Sequence, residues 1–166
     1  MISVLTAAAA PPLVLLSISD LRCRRIPNLY VAALGIIALA RVALALDPVG
    51  AAYDLGAATV VFAVLLVAWA RKMLGAGDVK VIVAAVLLVG HDALLHFLFL
   101  TAILGGALAL LVLADSWIEK YYAFTLRIAY PAGAPTGGMS GQRPSVPYGV
   151  AIAAACLLTL IAPQLG

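Results

Sequence analysis

The chain has 166 residues, 66% of them hydrophobic and only 10% charged, with a mean hydropathy of +1.17. Soluble domains are about 45–50% apolar and about 25% charged, so ten basic and seven acidic side chains cannot clothe this much apolar mass in water. Despite the net charge of +3, this excludes an ordinary cytosolic enzyme, a disordered chain and a nucleic-acid-binding domain, and leaves lipid as the solvent for the excess.

A membrane-crossing helix needs about 20 apolar residues. The apolar runs predict six such spans in one domain, 1–166: an all-α, polytopic membrane protein. The first runs from about Ile2 to Ser19 and should bend at Pro11-Pro12. It is not read as a signal peptide, because its basic cluster, Arg22, Arg24 and Arg25, follows the apolar run. The second runs from about Asn28 to Leu46 and the third from about Tyr53 to Ala70. The fourth, about Asp78 to Val89, is short for a full crossing. Gly90-His91-Asp92 separates it from the fifth, about Ala93 to Ala114, and the sixth runs from about Tyr148 to Ile161. The longest loop lies between them, about 115–147. Its first part, Ser116 to Arg127, mixes aromatic and charged residues and reads as an interfacial helix. Its second part, Pro131 to Pro147, is rich in Gly, Pro and Ser and reads as loop.

Charge gives this count an independent test. Every basic residue except Arg41 falls in the first, third or fifth connection. Positively charged loops stay in the cytoplasm, so those three loops are expected inside and both termini outside.

Acids at a membrane edge are costly to place and are therefore functional candidates. Asp47, Asp54 and Asp92 are assigned to water-facing outer loops, and Asp115 and Glu119 to a helix end beside Lys120. Asp20 and Asp78 differ. Asp20 directly follows the first apolar run, and Asp78 directly precedes the fourth. Two crossings separate them, so both belong at the cytoplasmic edge. Asp78 follows Gly75-Ala76-Gly77, where glycine permits a tight turn and close backbone approach. An ordinary helix cap explains such an Asp equally well, and Asp20 can simply end a helix among arginines. His91 and His96 stand five apart, off a common helix face, and no C-x-x-C pair occurs, so no metal is expected. Cys23 and Cys156 fall in different membrane environments, which argues against a disulfide.

Taken in order, Asp20, then Arg24-Arg25-Ile26-Pro27-Asn28, then Gly75-Ala76-Gly77-Asp78-Val79-Lys80, then Pro147-Tyr148-Gly149 resemble the type IV prepilin peptidases, the GxGD aspartic proteases of bacterial and archaeal membranes. The resemblance covers essentially the whole chain. It implies that Asp20 and Asp78 are catalytic, that Gly75, Gly77 and Lys80 belong to the active-site loop, and that Ile26, Pro27 and Asn28 support it. It implies no metal and no cofactor. The implied partners are membrane lipid and a prepilin-like protein, whose leader is cut at the cytoplasmic face of the cell membrane. The chain starts directly at its first span, without the paired C-x-x-C segment linked to N-methylation, so it looks like the short form associated with tight-adherence (Flp-type) pili. Methyltransferase activity is not implied. Three other readings stand beside this one. An ion- or proton-coupled transporter would use the two aspartates as carriers, but would be expected to place them nearer the midplane. A scaffold would have no need of a carboxylate pair. A presenilin-type GxGD protease has Tyr before its first Asp, where this chain has Ser19.

Overall fold

A computed structural model of the chain describes residues 2–23, 26–129 and 148–162. Among the described residues there are six helices and no strand: α1 (Ile2–Cys23), α2 (Asn28–Leu44), α3 (Pro48–Ala70), α4 (Ala76–Val89), α5 (Leu94–Ala129) and α6 (Tyr148–Ile161). Each holds one of the expected apolar runs.

The helix ends follow from local chemistry. Pro27 precedes α2 in extended geometry and cannot itself continue a helix backwards. Asp47 caps α3 through its carboxylate, which accepts the Val49 N–H at 3.0 Å, with Pro48 at the first helical position. Gly90 ends α4 at φ 90°, ψ 166°, a conformation open to glycine and strained for other residues. The helix α5 spans 36 residues, about 54 Å at 1.5 Å per residue. The segment Ser116 to Arg127, expected as an interfacial helix, is helical and continues the fifth apolar helix without a break. The remainder of that loop, 130–147, lies outside the described residues.

Around α4 the bundle is assembled: it packs against α2, α3, α5 and α6, while α1 rests on α2 and α6. Half of α4 is accordingly buried, through Val79, Val81, Ile82, Ala84, Ala85, Val86 and Leu88. The helix α6 offers Gly149, Ala151, Ala153 and Ala155 to its neighbours, small residues that let backbones approach closely as in membrane bundles. In α1 the buried residues Ala9, Leu13 and Leu16 continue at helical spacing into Asp20. In α4 Asp78 heads the buried stripe of Ile82 and Ala85. Each stripe ends in a carboxylate.

Two helices, Pro48–Ala70 and Leu94–Ala114, are long and apolar enough to cross a membrane. Only 17% of the first and 11% of the second is buried inside the molecule, so neither is the core helix of a soluble protein. Their faces expose Val60, Val64, Leu95, Leu110 and Leu111, which fits lipid as their surroundings.

One expectation is corrected. Asp54 does not lie in a water-facing loop. Because Asp47 starts α3 well before Tyr53, Asp54 sits within the helix and is buried. Arg41 Nη1 donates to Asp54 Oδ2 at 2.8 Å and to the Leu87 carbonyl at 2.9 Å. The His91 backbone N–H donates to Asp54 Oδ1 at 2.7 Å, and His91 Nδ1 lies 2.7 Å from the same oxygen. This network stands at the end of α4 opposite Asp78. It also explains Arg41, the basic residue that broke the loop pattern.

Candidate active site

The helix α1 continues past Ser19 to Cys23, which places Asp20 in its last turn. Asp20 is buried, and its Oδ2 accepts the backbone N–H of Gly149 at 2.7 Å. Gly149 lies in the first turn of α6, where N–H groups have no partner within the helix and favour an anion. Asp78 is in the first turn of α4 and is half-buried. It reaches back to accept the N–H of Gly75, the N-cap residue of its own helix, which is the returning half of a capping box. Asp20 lies near enough for its charge to act on Asp78. The bundle thus brings together two carboxylates 58 residues apart (78 − 20), one buried and one open on one side.

The glycines are explained by what surrounds them. A Cβ on Gly75 would lie 2.9 Å from Asp78 Oδ2, inside ordinary contact distance. A Cβ on Gly77 would lie 3.3 Å from the Ile26 Cβ. Gly77 therefore lets the segment before α2 close over the start of α4. Lys80 Nζ donates to Asn28 Oδ1 at 3.2 Å, completing a second link between the same two helix starts. Ile26 and Asn28 are thus packed against the Gly-x-Gly-Asp turn, with Pro27 fixing the chain between them, its carbonyl accepting the Tyr30 N–H at 3.2 Å.

Gly149 is the site residue whose role sequence reasoning missed. Its signal was present in Tyr148-Gly149, but nothing local could show that its N–H meets a carboxylate 129 residues away. Other candidates are placed elsewhere. Asp92 and His96 are exposed, and Cys156 is buried and free in α6. Arg24, Arg25 and Pro147 lie outside the described residues, as do the side chains of Cys23, Asp115 and Glu119. Among the described residues no three His, Cys, Asp or Glu side chains gather as a metal would require. An apolar groove lined by Val31, Gly35, Leu39, Phe62, Val83 and Leu87 runs between α2, α3 and α4. Lys80 and Ala84 line it too, so the groove reaches the Lys80–Asn28 link, along the side of α4 opposite Asp78 by helical spacing.

A family model described as the type IV leader peptidase family matches residues 7–110, more than half of the chain. The matched segment contains Asp20, Ile26-Pro27-Asn28 and the whole Gly75-to-Lys80 turn, and it stops short of Gly149. No curated protein and no solved structure matches the chain.

Proposed function

Because the chain belongs to the type IV leader peptidase family, a membrane-associated family of peptidases, we propose that Asp20 and Asp78 are its catalytic pair and that its substrate is a prepilin-like protein. The observation that carries this reading is that the bundle brings the two carboxylates into the same neighbourhood, one seated on the α6 N–H and one on the α4 turn.

Two close carboxyls in a partly desolvated site do not ionise independently; they share a proton and titrate as a pair. The ionised member takes a proton from water as that water attacks the scissile carbonyl carbon. The protonated member donates to the carbonyl oxygen, and a proton is then returned to the departing amine as the C–N bond breaks. Gly75 and Gly77 keep side-chain bulk away from the mouth of the site, which favours approach of an extended substrate backbone. Ile26, Pro27, Asn28 and Lys80 hold the starts of α2 and α4 together around it.

Six spans with both termini outside put this pair at the cytoplasmic edge of the cell membrane, since the basic residues Arg22, Arg24, Arg25, Arg71 and Lys72 flank the same end. A cut there fits a protein with a short basic cytoplasmic leader followed by a hydrophobic helix, such as the subunit of a tight-adherence pilus. The proposal covers proteolysis alone and invokes neither metal nor methyl transfer. The test is cleavage of such a substrate by the purified full-length protein in lipid vesicles. The product should start just before the hydrophobic helix. Cleavage only at exported, outer-face sequences would overturn the reading.

A further inference from the structure

We infer that Gly149 is a positioning residue for Asp20, so that α6, which the family match does not reach, completes the active site. The inference rests on the peptidase reading above.

Three observations carry it. Gly149 N–H donates to Asp20 Oδ2 at 2.7 Å, a buried bond between the first turn of α6 and the last turn of α1. That distance is at the short end for an N–H donor and suits a charged acceptor. Secondly, a Cβ at position 149 would stand 2.8 Å from Asp20 Oδ2, 3.1 Å from its Cγ and 3.1 Å from Leu16 Cδ2. Those first two contacts are with the carboxyl group itself, so any side chain here displaces the acid. Thirdly, Gly149 is helical and has no positive φ, so its backbone conformation is open to every residue. Alanine is the better helix former. Glycine is required at this position by the space that Asp20 fills.

Helix direction adds to this. Asp20 ends α1, where the free carbonyls of a helix disfavour a negative charge, whereas the start of α6 favours one. A carboxylate at the close of α1 therefore gains from the docking of α6. The small residues Ala151, Ala153 and Ala155 are buried along α6 and allow that docking.

The experiment uses the full-length protein in lipid vesicles and a synthetic substrate with a basic leader and a hydrophobic helix. Steady-state kinetics are measured for wild type, Asp20→Asn, Gly149→Ala, Leu16→Ala and the Leu16→Ala/Gly149→Ala pair. Displacement of a reacting group by about 1 Å can cost about 100-fold in rate. Gly149→Ala should lower kcat by about that factor and leave KM within about twofold. Leu16→Ala relieves the Leu16 contact and leaves the Asp20 contact in place, so it should not restore the rate. Wild-type kcat in Gly149→Ala, a loss confined to KM, or recovery on adding Leu16→Ala overturns the inference. If Gly149→Ala unfolds early, thermal melting decides: Asp20→Ala removes the opposing carboxyl and should restore the melting temperature of Gly149→Ala. No restoration overturns the inference. A wild type that does not cleave, or an active Asp20→Asn, instead sinks the peptidase reading, while the melting comparison still reports whether residues 20 and 149 are coupled.

Discussion

Arg41 and Asp54 form a 2.8 Å ion pair between α2 and α3, at the end of the bundle opposite Asp20 and Asp78. Asp54 also holds the His91 backbone N–H and ring, while Arg41 bonds the Leu87 carbonyl near the close of α4. One carboxylate thus ties α2, α3 and the α4–α5 turn together. Gly90 makes room for this arrangement, since a side chain there would collide with the Arg41 guanidinium. Removing one partner of a buried pair strands the other charge and costs about 3–5 kcal/mol. Arg41→Met strands Asp54, whose side chain is only 7% exposed, and falls within that range, whereas Asp54→Ala strands Arg41, which keeps 28% of its side chain exposed, and falls toward the lower end. Both should reduce the melting temperature in detergent. The fraction that remains folded should keep its cleavage rate, because the proposed catalytic pair is at the other end of α4. Equal melting of variants and wild type would show that the pair contributes nothing.

The Lys80–Asn28 bond makes a smaller prediction. Lys80 is exposed, and a net intramolecular hydrogen bond contributes about 0.5–1.5 kcal/mol. Lys80→Met and Asn28→Ala should each destabilise by no more than about 1.5 kcal/mol. The double variant should be little worse than either single, as expected for two residues in contact. Strictly additive losses in a melting-based double-mutant cycle would show that the two side chains act separately.

These contacts also show which features the sequence made legible. Asp20 and Asp78 stand out because each terminates an apolar run, and the buried stripes of α1 and α4 carry them inward at helical spacing. The six helices were legible for the same reason. Asp54 was not: hydropathy alone starts the third helix near Tyr53, whereas the Asp47-Pro48 cap starts it earlier and turns Asp54 into a helix residue. That the helix expected over Ser116 to Arg127 continues the fifth span unbroken was not legible, because charged and aromatic residues interrupt the hydropathy of α5 without interrupting its helix. Gly149 depends on a contact between the two ends of the chain, which no local pattern encodes.

Topology can be tested with Cys23. The proposed orientation, drawn from charge asymmetry, has it at the cytoplasmic face, and the other cysteine, Cys156, is buried within α6. A membrane-impermeant thiol reagent should leave Cys23 unlabelled in intact cells and label it in inverted vesicles. Labelling from outside would reverse the orientation and move the carboxylate pair to the wrong face for a cytoplasmic leader.

The pair itself gives the sharpest prediction. Asn at position 20 can still accept the Gly149 N–H through its amide oxygen, and Asn at position 78 can still accept the Gly75 N–H. Asp20→Asn and Asp78→Asn should therefore both insert and melt close to wild type. Neither can pass a proton between water, carbonyl and amine, so each should lose at least about 100-fold in cleavage rate. The double variant should be scarcely slower than either single, because groups acting as one unit lose their effect together. Cleavage should survive chelators, since the proposed chemistry runs through the two carboxyls. Asp92→Asn and His96→Ala alter exposed side chains away from both carboxylates and should leave the rate unchanged. Appreciable turnover by either aspartate variant, together with inhibition of the wild type by a chelator, would remove the aspartic mechanism and point to a metal-dependent one.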